Sequence, residues 1–211
     1  EGFVLPAAID RHVGVALRLR RDARIALRSD RYQASVEFDA LPTRRQGNWA
    51  DYVIGVTREI DQRYDPGPGF DAFVASDIPV GSGLSSSGAL DVANAVAMLA
   101  ARGIEMPAVE TARLCQAAEN GFVGAHTGIM DPFTALTARG GNAILLDCRS
   151  MRDEHVPLPD GRFAWLLADS RVRHELALTA YNERRRECEA AATVLGLPSL
   201  RDAREADLPR I

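Results

Sequence analysis

The chain has 211 residues, of which 46% are hydrophobic and 26% charged, with 25 Lys and Arg against 29 Asp and Glu for a net charge of -4. That length can bury a substantial core, as one domain or as one domain and part of another. The near-balance of charge argues against a nucleic-acid groove or a membrane-surface patch, and no run of about 18 apolar residues suggests a membrane span. Cys115, Cys148 and Cys188 are odd in number and fit no disulfide or metal-ligand spacing, so they read as free buried thiols in a reducing compartment.

In chain order, Val13 to Leu19 and Ala23 to Leu27 alternate apolar with polar residues, the pattern of two antiparallel strands with one wet face, paired as a hairpin. Asn48 to Ile60 repeats Tyr52, Val53, Val56 and Ile60 at helical spacing, and the turn Asp65-Pro66-Gly67-Pro68-Gly69 follows. Phe70 to Ser76 is a short apolar strand. A helix from Ser86 to Ala101, ended by Gly103, comes next. Met106 to Glu119 is a second amphipathic helix, Asn142 to Asp147 and Phe163 to Asp169 are strands, and an arginine-rich helix runs from about Tyr181 to Leu195. There is no internal repeat or low-complexity tract. The order of elements gives an α+β fold.

The segment Pro79-Val80-Gly81-Ser82-Gly83-Leu84-Ser85-Ser86-Ser87-Gly88 carries the most chemistry. Gly81 and Gly83 can turn the backbone tightly against a ligand, and Ser85, Ser86 and Ser87 bring hydroxyls and amides to a helix N-terminus, where an anion is stabilised. No lysine follows the glycines, so this is not a Walker-type loop. On the local pattern alone, an ordinary capped helix behind a flexible turn fits as well. Asp131 before Pro132 similarly fits a helix N-cap, and Glu119 a solvated acid at a helix end. Arg184, Arg185 and Arg186 alternate with Glu183, Glu187 and Glu189 as on a salt-bridged surface rather than in a phosphate clamp. His12, His126, His155 and His174 share no spacing with Cys or acids that would build a zinc site.

Pro-x-Gly-x-Gly-Leu-Ser-Ser-Ser resembles the phosphate loop of the galactokinase, homoserine kinase, mevalonate kinase and phosphomevalonate kinase superfamily. Within it, the galactokinase family is the one resembled by Glu119-Asn120-Gly121-Phe122-Val123-Gly124, Gly128-Ile129-Met130-Asp131-Pro132-Phe133, Leu146-Asp147-Cys148-Arg149-Ser150, Asp169 to Ala177 and Tyr181 to Glu189. The opening Gly2 to Ile9 is similar to the strand that follows that family's sugar-binding signature.

The resemblance implies the two-layer small-molecule kinase fold, with an N-terminal domain, ribosomal-protein-S5-domain-2-like, over residues 1–160 and the start of a ferredoxin-like C-terminal domain over 161–211. It implies a longer enzyme, since the family's Arg-containing signature ending in Gly-Glu-His and its glycine-rich third signature are not in this sequence, and the 211 residues alone would then be inactive. The implied reaction is ATP-dependent phosphorylation of the C1 hydroxyl of galactose, in the cytoplasm, by a monomer with no nucleic-acid or membrane partner. By carry-over, Gly81, Ser82, Gly83, Leu84, Ser85, Ser86 and Ser87 hold the ATP phosphates, and Trp49, in a Trp-x-x-Tyr pattern with Tyr52, walls the adenine pocket or packs in the core. Ser87 and Glu119 stand at Mg²⁺, Asp131 is catalytic, and Gly128, Asp131 and Tyr181 face the sugar. Pro132 replaces the family's usual Gln, and Gly88 its common Ala, which loosens the helix start slightly. A sister sugar 1-kinase acting on arabinose, galacturonate or an N-acetylhexosamine, and a non-catalytic galactose- and ATP-binding regulator, are the alternatives.

Overall fold

The computed structural model describes residues 2–31, 35–79, 81–159, 161, 164–168 and 177–210. Seven strands and five α-helices form in the order β1 (Phe3–Val4), β2 (Val13–Leu19), β3 (Ile25–Ser29), β4 (Val36–Phe38), α1 (Ala50–Arg63), β5 (Phe70–Ser76), α2 (Ser86–Ala101), α3 (Ala108–Ala118), α4 (Met130–Thr137), β6 (Asn142–Asp147), β7 (Arg152–Pro157) and α5 (Ala177–Leu195). They divide into a four-stranded sheet of order β2-β5-β3-β4 and a three-stranded sheet of order β1-β6-β7.

β5 is the most apolar strand of its sheet on its inner face, with Phe70, Ala72 and Val74 all buried. A strand that buries one face completely gains most from neighbours on both edges, and β5 has them. It runs antiparallel to β2, from Val13 opposite Ser76 to Leu19 opposite Phe70, and parallel to β3, from Ile25 opposite Phe70 to Ser29 opposite Val74. The expected hairpin of β2 and β3 is therefore wrong: β5 lies between them. The alternation in both strands was real, but alternation fixes which face is wet and says nothing of which strand lies alongside. The insertion is tied at its entry, where the Arg20 amide donates to the Gly69 carbonyl at 2.8 Å and the Gly69 amide to the Asp22 carbonyl at 2.7 Å. A Cβ on Gly69 would lie 2.0 Å from the Arg24 carbonyl oxygen, so only glycine allows this approach.

Helices α1, α2 and α3 cover the inner face of the four-stranded sheet. Val53, Ile54, Val56 and Ile60 of α1, Ala95, Met98 and Leu99 of α2, and Leu114 and Cys115 of α3 join Ile25, Leu27 and Phe70 in one apolar cluster. A second cluster joins Ala112 of α3, Ile129 and Phe133 at α4, and Ile144 and Leu146 of β6. The layering of sheet and helix matches the expected α+β class. β7 was not foreseen because Arg152 to His155 are charged, which is typical of an exposed edge strand. Of the strand expected over Phe163 to Asp169, Phe163 and Asp169 lie outside the described residues, and 164–168 carry no strand pairing.

The exposed residues of α5 pair along its surface, Arg184 with Glu187 at 2.6 Å and Arg185 with Glu189 at 2.9 Å, as the interleaved charges predict. Among the described residues, no helix is long and apolar enough to cross a membrane. Cys115, Cys148 and Cys188 are free thiols, but only Cys115 is buried as expected: Cys148 is half-buried just after β6, and Cys188 is exposed on the charged surface of α5.

Candidate functional site

Gly81 (φ +72°) and Gly83 (φ +76°) both adopt the left-handed conformation, so the tight turn expected there is formed. Ser85 adopts it too, at φ 55° and ψ 40°, which is uncommon for a residue with a side chain. It is the N-cap of α2, yet its side chain makes no capping bond. The expectation of a serine-capped helix thus needs correction, and the physical reason is that a left-handed backbone turns the hydroxyl away from the first-turn amides. Those amides have no acceptor within the helix, whose first backbone bond is Ala89 N–H to the Ser85 carbonyl at 3.0 Å. The Ser82 hydroxyl is engaged with the Pro79 carbonyl at 2.7 Å.

One face of α2 continues from this loop through Ser87, Gly88, Asp91 and Asn94. Across from it, α3 passes directly into a single π-type turn, Glu119–Val123, closed by Gly124 at φ 84° with its amide donating to the Glu119 carbonyl. The turn places Glu119 inward at 4% exposure, so the residue that reads in isolation as a surface acid is buried. Burial pushes its carboxyl above the ordinary range, while hydrogen bonds from Thr127 and Ser87 pull it back and the charge of Asp131 adds to the rise. The Thr127 hydroxyl donates to Glu119 Oε2 at 2.5 Å. Ser87, Glu119, Thr127 and Asp131 therefore share one polar corner.

Asp131 is the second residue of α4, not its N-cap; Ile129 holds that position and Phe133 N–H makes the first helical bond to the Ile129 carbonyl at 3.0 Å. Pro132 loses nothing there, because first-turn amides have no helical acceptor. The Asp131 side chain sits directly against Gly88, where an added Cβ would come within 3.0 Å of Asp131 Cβ and 3.7 Å of Pro132 Cδ. Gly88 is thus more than a weak helix start: its missing side chain sets how closely α2 and α4 approach. Asp131 lines a cleft of about 1100 Å³ together with Gly83, Ser85 and the extended segment Pro6 to Ile9 that follows β1.

Other expected site residues stand apart. Trp49, at 9% exposure, precedes α1 and belongs to the main apolar cluster, with Tyr52 packed against it. Gly128 is exposed, and a Cβ there would meet nothing within 4 Å. The side chain of Tyr181, at the start of α5, lies outside the described residues.

Two site neighbours were not foreseen. Thr127 is a single hydroxyl on a loop, with no local signal of its role. Asp91 is 1% exposed, and among the described residues neither of its carboxylate oxygens has a hydrogen-bond partner. Burial, and after it the charge of Glu119, pushes its carboxyl well above the ordinary range. An Asp in mid-helix among Ala and Val, one turn beyond Ser87, was the available signal. Cys115 lies beside both acids, and burial pushes its thiol far up, which makes it inert.

Residues 51–139 match the GHMP kinases N terminal domain. The chain is 36% identical to a galactokinase of Thermosipho africanus over 208 residues, 99% of this chain and 58% of the relative. It is 39% identical to a galactokinase of Chloroflexus aggregans, over 99% of this chain and 55% of the relative. The fold superposes on Lactococcus lactis galactokinase complexed with galactose at a TM-score of 0.80, with 26% identity, over 99% of this chain and 56% of that one. A mevalonate kinase shares the fold alone, with a TM-score of 0.61 at 18% identity. The chain spans little more than half the length of these galactokinases. Motif, fold and whole-chain similarity agree that it belongs to the GHMP kinases, on the galactokinase branch.

Proposed function

We propose that the protein transfers the γ-phosphate of ATP to the C1 hydroxyl of galactose, giving galactose 1-phosphate, ADP and a proton. The observation that carries the reading is the convergence of Ser87 and Glu119 on Asp131, which itself lines the same cleft as Gly83 and Ser85 of the left-handed glycine loop.

Phosphoryl transfer asks a protein mainly to position its reactants and to offset charge. The first-turn amides of α2, which have no acceptor within the helix, and the hydroxyls of Ser85 and Ser86 would bind the phosphates. Ser87 and Glu119 offer a hydroxyl and a carboxylate side by side, the hard-oxygen donors that suit Mg²⁺. When bound there, Mg²⁺ would neutralise phosphate charge. Thr127 would keep the Glu119 carboxylate oriented through its hydroxyl's bond to Oε2. Asp131 would accept a hydrogen bond from the C1 hydroxyl, orient it and take its proton as the O–P bond forms. Tyr181 and Gly128 complete the sugar side in this reading, and Trp49 backs the nucleotide side. A cytoplasmic, monomeric enzyme of two domains, divided near residue 160, belongs to the same proposal.

The test is a product assay on the full-length protein with galactose, arabinose, galacturonate and N-acetylhexosamines, each with MgATP. Galactose 1-phosphate as the preferred product is expected. A different preferred sugar would leave the kinase standing with another substrate, and binding of galactose and ATP without turnover would mark a regulator.

A further inference from the structure

We propose that Asn182 is a positioning residue whose side chain fastens helix α5 to the turn 124–126, and through it holds Thr127 against Glu119. The inference rests, for its consequence at the metal, on the function proposed above.

The turn is bound from two sides. From within, the amides of Gly124 and Ala125 both donate to the Glu119 carbonyl, at 2.9 and 3.1 Å, and the Gln116 side chain donates to the Thr127 carbonyl at 3.1 Å. From outside, Asn182 Oδ1 accepts from the His126 amide at 3.1 Å while its Nδ2 donates to the Gly124 carbonyl at 3.4 Å. One planar amide therefore satisfies a donor and an acceptor two residues apart, in place of the backbone partner that an irregular turn cannot supply. The next residue is Thr127, whose hydroxyl meets Glu119 Oε2 at 2.5 Å. Releasing His126 would leave Thr127 held through its backbone only by the Gln116 side chain and by the 2.8 Å bond of its amide to the Ala125 carbonyl, so its hydroxyl would approach the carboxylate less firmly.

The arrangement links two parts of the chain that share no strand pairing among the described residues: α5 and the loop that leads to Asp131. Asn182 is partly exposed, so its substitution removes the strap without opening the core.

The experiment compares full-length protein with Asn182→Ala and Asn182→Asp. Hydrogen exchange of the His126 amide and calorimetric Mg²⁺ affinity in the presence of ADP are measured for each, with melting temperature alongside. In Asn182→Ala, His126 exchange should quicken about tenfold, the factor one modest hydrogen bond can withhold, and Mg²⁺ affinity should fall about threefold. Asn182→Asp should return both part of the way, because a carboxylate oxygen still accepts from the His126 amide but cannot donate to the Gly124 carbonyl. Unchanged exchange in Asn182→Ala would overturn the strap. Faster exchange or a lowered melting temperature with unchanged Mg²⁺ affinity would overturn its role in positioning Glu119. If the parent protein shows no Mg²⁺-dependent phosphotransfer, the kinase reading fails, and the exchange comparison still decides the strap.

Discussion

Replacing Asp91 with Asn should make stability less dependent on pH. Asp91 is 1% exposed, and no described group offers its carboxylate a hydrogen bond. Its folded carboxyl stands well above the ordinary value of 3.8 because of burial and, secondarily, the charge of Glu119. A carboxyl raised in the fold contributes its stability fully below pH 3.8 and loses it as pH rises toward the folded value, since only the unfolded chain then releases the proton. While the fold keeps that proton, each pH unit costs about 1.4 kcal/mol. From pH 5 upward the parent should therefore lose stability relative to Asp91→Asn by at most about 1.4 kcal/mol per pH unit, a readable part of the roughly 5–15 kcal/mol that stabilises a domain. Asn fills the same volume and cannot ionise, so packing cancels in the comparison. Urea unfolding of both proteins at pH 5, 6 and 7, in EDTA and followed by intrinsic fluorescence, measures the difference. Parallel pH dependences would refute the reasoning, because they would mean that Asp91 titrates alike in the folded and unfolded chains.

Asp131→Asn in the full-length protein should retain its melting temperature and ATP affinity while kcat falls about 10²-fold or more, as steady-state assay would show. Ser87→Ala or Glu119→Ala should raise the Mg²⁺ concentration needed for half-maximal rate and leave nucleotide-free galactose affinity unchanged; a collapse of sugar affinity with normal metal dependence would remove both from the metal side. Gly88→Ala should gain about 1 kcal/mol of helix propensity and lose a comparable amount to the 3.0 Å approach to Asp131 Cβ, so its melting temperature should hardly move while kcat drops several-fold. A higher melting temperature with full activity would show that α4 yields freely. Phe133→Ala, at 1% exposure in the second apolar cluster, should lower unfolding free energy by about 3–5 kcal/mol in chemical denaturation.

The turn from Gly81 to Ser87 was legible because its shape is written in consecutive residues, glycines for the turn and serines for the helix start. Its capping chemistry was misread, since the left-handed Ser85 is a property of the folded loop and not of the residue type. Glu119 was found through family likeness alone; its burial depends on a π-type turn that no periodicity announces. Thr127 and Asp91 were missed for a related reason: each matters through what stands opposite it on another element. The order β2-β5-β3 was hidden likewise, because a strand of alternating residues specifies its wet face and leaves its neighbour to the tertiary fold.

Strand β1 holds its place with two paired residues, yet the segment Pro6 to Ile9 leaving it forms one wall of the cleft. Much of its anchorage comes from the far end of the chain. Arg201 lies over the Phe3 ring at 4.3 Å and grips the Asp147 carboxylate, which terminates β6, while the Asp202 carboxylate accepts from Arg149 Nη1 and Nη2 at 2.8 Å each. A ribosome delivers these partners about two hundred residues apart. The glycine loop, α2 and the Glu119 turn can all assemble on the nascent chain before Arg201 emerges; the wall facing them, held until then by its pairing with β6 and by the Ile144 amide at 2.8 Å from the Pro6 carbonyl, gains its last clamp only when it does. The two walls of the cleft therefore settle at different moments of synthesis, and a polypeptide released early would carry the glycine loop without a fully clamped Pro6 to Ile9 segment.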